Sequence, residues 1–98
     1  MPHYFSKASV VENVFAITGR GCIICGEFSP NLKIKIGTLL ELRRSTQVIF
    51  SSTVSGMVFP VQKPRMFALP VRGLEKTVVQ LGDEIWLEDA AFEKVVVT

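Results

Sequence analysis

The chain has 98 residues, with eleven Lys and Arg against nine Asp and Glu and a formal net charge of +2, which is one small domain with no room for a second. Apolar residues make up 48% and charged residues 20%, the balance of an ordinary globular domain. That excludes a disordered or collagen-like chain and lets a core form without disulfide staples.

The charge is uneven, with six bases and three acids over residues 1–49 and five bases and six acids over 50–98. The densest basic pairs are only Lys33/Lys35 and Arg43/Arg44, so the clustered footprint of a nucleic-acid binder is weak. The start, Met1 to Lys7, lacks the apolar stretch of a signal peptide, and no apolar run approaches the roughly 18 residues that span a membrane. A cytoplasmic protein with no membrane partner is expected.

Short β-rich runs separated by turn signals recur along the chain, and no segment sustains the i, i+3, i+4, i+7 spacing of an amphipathic helix. The expected strands, in order, are 10–17, 21–28, 37–43, 46–58, 65–72, 83–88 and 93–98, with the residues before 10 as a short lead. Between the first two lies Thr18-Gly19-Arg20-Gly21, where two glycines supply the positive φ of a tight hairpin. Asn31 to Gly37 reads as a connection, and Leu42 to Val48 as a second hairpin around Arg43-Arg44-Ser45. Pro60 and Pro64 bracket a loop, and Pro70 requires that its strand be an edge, bulged or broken there.

Alternation places Phe67, Leu69 and Val71 on one face, and Thr46, Val48, Phe50 and Val54 on one face of another strand. Four runs are apolar on both faces: Val14 to Ile17, Cys22 to Cys25, Met57 to Phe59 and Val95 to Val97. They exceed what one small barrel interior holds, so part of that surface is expected to meet a partner.

Cys22 and Cys25 do not suffice for tetrahedral zinc, which needs four ligands, because His3 is the only histidine to add to them. They fall on a strand, facing opposite sides, rather than at the helix N-terminus that activates a thiol, and read as free thiols. One His, near the terminus, and no carboxylate pair in an apolar setting leave no catalytic set. No cofactor, metal or enzymatic activity is expected. Asp83, Glu84, Glu88, Asp89 and Glu93 read as a solvated rim, while Trp86 among them reads either as core or as an interface anchor.

In order, Val14-Phe15-Ala16-Ile17-Thr18-Gly19-Arg20-Gly21-Cys22-Ile23-Ile24-Cys25-Gly26 resembles the V-F-x-I-x-G-R-G-x-V-x-x-G hairpin that opens the second domain of translational GTPases of the elongation factor Tu type. Lys35-Ile36-Gly37 with Leu40-Glu41-Leu42 is similar to the next segment of that domain, with one residue more between them. Val71-Arg72-Gly73-Leu74-Glu75-Lys76, followed by Gly82-Asp83 and Ile85, is similar to its end. The resemblance covers residues 10–88 and implies a closed six-stranded antiparallel β-barrel with Greek-key connections. In that picture Gly37 and Gly82 precede strands at corners where a Cβ would crowd the turn, and Arg72 pairs with an acid such as Asp83 or Glu84.

The family's catalytic machinery lies in a separate domain, and this chain has no G-x-x-x-x-G-K-[ST] loop. Where the family holds the aminoacyl end of tRNA the chain departs: Ser55-Gly56-Met57 runs into a shortened loop, and Lys63-Pro64 stand at the small-residue positions. Two binding functions follow as expectations. The first is a protein-interaction or self-associating module acting through apolar outer faces, with Ile24, Met57, Phe59 and Trp86 as candidates. The second is an RNA- or ribosome-binding module using Arg20, Lys33, Lys35, Arg43 and Arg44.

Overall fold

The computed structural model describes residues 4–61 and 63–92. Its elements are β1 (Phe5–Val10), β2 (Asn13–Ile17), β3 (Gly21–Glu27), β4 (Leu39–Arg44), β5 (Gln47–Thr53), β6 (Phe59–Pro60), β7 (Met66–Val71) and β8 (Glu84–Glu88), followed by a 3-10 turn over Asp89–Ala91. They form two four-stranded antiparallel sheets, ordered β1-β8-β4-β5 and β2-β3-β7-β6. The expected strand over 93–98 lies outside the described residues.

Alternation builds the core. Cys22 and Ile24 of β3, Leu40 and Leu42 of β4, Leu69 and Val71 of β7, and Ile85 and Leu87 of β8 all turn inward and are essentially inaccessible. Val11, Val54, Leu74 and Val79 close the cluster from the connections.

The chain passes from one sheet to the other at Val11–Glu12. Val11 exchanges backbone bonds with the 82–83 turn (Val11 N to Asp83 O and Gly82 N to Val11 O, both 2.8 Å), and Glu12 N turns to Cys25 O at 2.8 Å. Gly26 makes that crossing feasible, because a Cβ there would lie 2.6 Å from Val10 O and from Ser9 Oγ. At the far side, Val54 bridges Val71 and Ser55 N donates to Pro70 O at 2.8 Å. This bond explains Pro70. A strand residue's N and C=O point to the same side, so the nitrogen that lacks a proton faces Ser55 and the pairing with Ile23 of β3 keeps its donors.

Several expectations are corrected. Residues 5–10 are no lead but a strand on β8, and the expected 10–17 strand begins only at Asn13. Strand β5 ends at Thr53, not at residue 58, and a short strand, β6, at Phe59–Pro60 leads into the proline-bracketed loop. The second hairpin lies within Leu42 to Val48 as expected, but its turn is centred on Ser45-Thr46, with φ of 51° and 67°, and Arg43 and Arg44 belong to β4. A register shift then pairs Leu42 with Phe50 but Arg43 with Val48, leaving Ile49 bulged. Phe50 therefore packs on the core while Val48 lies outside, so the two do not share a face. At Gly37 and Gly82 a Cβ would meet nothing within 4 Å; glycine is there for φ of +94° and +90°, not for crowding.

Candidate functional site

The outer face of the β2-β3-β7-β6 sheet is apolar across its width. Cross-strand partners share a face, so Phe15, Ile23 and Pro70 form one row and Asn13, Cys25, Ala68 and Phe59 the next. Gly56 fits against Pro70, its Cβ position 3.1 Å from Pro70 Cγ, which carries the following loop over this face. Large apolar side chains here stay open to solvent: Phe15 is 52% exposed, Ile17 37%, Phe59 40% and Met57, on the loop, 76%. At Phe15 opens a groove of about 340 Å³, lined also by Cys25, Val61 and Met66 and by the polar Glu12, Asn13 and Lys63. Burial under this lining raises the Cys25 thiol pKa.

Of the apolar candidates, Met57 and Phe59 stand on this face, but Ile24 does not. Ile24 is fully buried in the core, and its neighbour Ile23 is the outward residue. A one-residue shift in a strand exchanges faces, and the apolar run Cys22 to Cys25 hides which parity holds. Phe15 and Ile17, which this shift also orients, complete the face.

Trp86 belongs to the other sheet. It points outward from β8, half-buried, and Arg43 of β4 lies over its ring with the guanidinium carbon 3.9 Å from the centroid. Arg43 Nε and Nη2 both donate to Glu41 Oε1, at 3.0 and 2.7 Å. Trp86 Nε1 donates to Glu84 at 3.0 Å, and Lys7 Nζ stands 3.2 Å from the same carboxylate. These bonds from Trp86 and Lys7 hold the Glu84 carboxyl below its usual range. The reading of Trp86 as core is thus replaced by an outward aromatic closed over by charge pairs, and Arg43 is engaged rather than open to a phosphate backbone.

Arg44 is engaged as well. Its Nε and Nη2 reach both oxygens of the buried Asp83 carboxylate, each at 2.7 Å, and Nη2 also donates to Val78 O at 3.0 Å. The bond to Asp83 raises the Arg44 pKa. Asp83 is therefore paired with Arg44, not with Arg72, and it is no part of a solvated rim.

The remaining basic candidates are dispersed. Arg20 is exposed at the β2–β3 hairpin tip; Lys33, held to Ala91 O through its backbone N–H, and Lys35 lie on the connection before β4. Cys22 faces the core below that tip, where burial raises its thiol pKa and the Lys76 charge partly offsets the rise. Compared with protein families, curated proteins and solved structures, the chain matches none.

Proposed function

We propose that this chain is a non-catalytic β-barrel of the translation-factor second-domain type that works as a protein-interaction module, docking its partner on the outer face of the β2-β3-β7-β6 sheet. The single observation that carries the reading is the exposure of Phe15, Ile17 and Phe59 on this face and of Met57 on the adjoining loop, with a groove opening at Phe15. Such a patch, beside a groove that mixes apolar side chains with Glu12, Asn13 and Lys63, has the make-up of a docking site that offers apolar contact together with polar partners. The groove has room for one large apolar side chain as an anchor.

The barrel reading draws support from both seams. The chain crosses between the sheets at Val11–Glu12, and Val54 and Ser55 pair with Val71 and Pro70, so β1 with β2 counts as one bent strand and β5 continues onto β7. The ordered resemblance of residues 10–88 to the translation-factor domain points the same way. The RNA reading is the weaker one, because Arg43 and Arg44 are committed to Glu41 and Asp83 and Arg20, Lys33 and Lys35 form no single patch.

The test is a pull-down of the full chain from native lysate with and without ribonuclease, beside Phe15→Lys and Phe59→Lys. Retention of a protein that survives ribonuclease and high salt, and is lost in both variants, is expected. Retention that depends on RNA and ignores both substitutions refutes the assignment and returns the function to the basic residues.

A further inference from the structure

The β2–β3 hairpin tip and the turn after β7 are locked together by Gly21. A Cβ at that position would lie 2.3 Å from Val71 O and 2.8 Å from Gly73 N, so only glycine lets the two backbones meet. The contact opens a cleft of about 480 Å³ whose lining includes Arg20 from one turn and Arg72, Glu75 and Lys76 from the other. Arg20 and Arg72 belong to motifs far apart in sequence, and the antiparallel pairing of Cys22 with Val71, continued by the close approach at Gly21, brings them to one place.

The three cations differ from those of the opposite sheet. Lys7, Arg43 and Arg44 each have a carboxylate partner. The side chains of Arg20, Arg72 and Lys76 have neither a hydrogen bond nor an ion pair with any described residue, although Glu75 shares their cleft. Three positive charges and one negative give the cleft a net +2, close to the charge that neutralises a phosphate monoester of roughly −1.5 to −2. Two guanidinium groups offer the forked donors suited to phosphate oxygens, and a lysine adds a point charge. The backbone at the tip is open as well, with Gly19, Gly21 and Gly73 all at positive φ, the kind of turn in which successive N–H groups form anion-binding hollows.

We propose that this cleft binds a phosphate monoester through Arg20, Arg72 and Lys76. The ligand is short rather than a polyanion, because no basic track leaves the cleft. Lys63 lies at the groove of the apolar face, and Lys35 lines a separate depression with Ile36 and Glu88. The site is independent of the docking face, and either assignment stands if the other fails.

The experiment is a ¹H–¹⁵N NMR titration of the full chain with inorganic phosphate and with phenyl phosphate, against sodium chloride at matched ionic strength. Saturable shifts confined to the amides of Gly19, Arg20, Gly21, Arg72 and Gly73 are expected for both probes. Arg20→Gln and Arg72→Gln, at exposed positions that leave folding intact, each weaken binding by about tenfold, the loss of one charge-assisted contact, while Lys35→Gln changes nothing. Shifts that are diffuse, fail to saturate or persist in both variants overturn the site. Binding of inorganic phosphate alone overturns the ester, and an RNA oligonucleotide binding more tightly than phenyl phosphate, with a salt slope of several ions, overturns the short ligand.

Discussion

Asp83 is the most informative single residue for testing how the fold is held. Its carboxylate is 3% exposed and accepts three bonds: two from Arg44, at 2.7 Å each, and one from the Gln80 N–H at 2.8 Å. Burial pushes its pKa up, but the Arg44 bonds, the Gln80 N–H and the Arg44 charge together outweigh burial and hold it below the ordinary 3.8. Asp83→Asn keeps the shape and removes the charge. Its amide nitrogen must then face a guanidinium or the Gln80 N–H, a donor against a donor. The cost is about 2 kcal/mol, the worth of one hydrogen bond to a charged group, or about 10 °C in melting temperature for a domain of this size.

The pH dependence gives the sharper check. A carboxyl whose folded pKa is depressed adds stability that is complete above its unfolded value and is lost as pH falls through the folded one. Asparagine does not titrate, so the deficit of the variant should be full near about pH 6 and should shrink steadily below about pH 4. Contributions common to both proteins, such as the lowered Glu84, cancel in the difference. Urea unfolding of both proteins across that range measures it. A deficit that is constant with pH, or that grows on acidification, refutes the assignment of Asp83 as a buried ion held by Arg44.

Ile23 and Ile24 test the assignment of faces: Ile24→Ala should cost about 3 kcal/mol as a core cavity, and Ile23→Ala about 1 kcal/mol or less in the isolated chain, both read from denaturant midpoints. Gly21→Ala should destabilise by about 3 kcal/mol or more, since it combines a φ of +108° with a Cβ 2.3 Å from a carbonyl oxygen. It should also abolish phosphate shifts at the tip, and an unchanged melting temperature would show that the two turns do not touch. Both thiols should react slowly with a disulfide reagent in native protein and at once in denaturant, because burial of Cys22 and Cys25 raises their pKa values; fast native labelling would place a thiol outside.

How much of this was legible varies with the range of the interaction. The Thr18–Gly21 hairpin could be read directly, because two glycines at φ of +77° and +108° announce the turn. The Leu42–Val48 hairpin is legible as well, but not its centre at Ser45-Thr46, since both residues take positive φ without glycine or asparagine, nor the bulge at Ile49, which reverses the facing of the residues before it. Strand β1 over residues 5–10 is not legible in the sequence, because Ser6, Lys7 and Ser9 dilute an apolar pattern that only pairing with β8 completes. The Arg43–Trp86 and Arg44–Asp83 partnerships join residues some forty positions apart, and no local pattern encodes them. Ile24 stands inward and Ile23 outward, a distinction the sequence does not carry, because a run apolar on both faces has no parity of its own.

The sorting of charge between the two sheets bears on where a partner can act. On the β1-β8-β4-β5 sheet, Lys7, Arg43 and Arg44 face Glu84, Glu41 and Asp83, three positive against three negative. Three pairs that cancel, with Glu88 of β8 adding one further negative charge, offer little to an anion, and a ligand entering there must first break charge-assisted bonds that are already made. Trp86, enclosed by Arg43 and bonded to Glu84, is spent on those pairs and is a poor anchor despite being outward. The β2-β3-β7-β6 sheet is built the other way, with apolar side chains left uncovered across its face and uncompensated cations at its hairpin end. A partner docking there releases water from Phe15 and Phe59 without breaking a bond, and an anion reaching Arg20 and Arg72 displaces no carboxylate. The core is shared by both sheets, but the charge pairs are thus concentrated on one and unmet binding capacity on the other, and for that reason both proposals fall on the second.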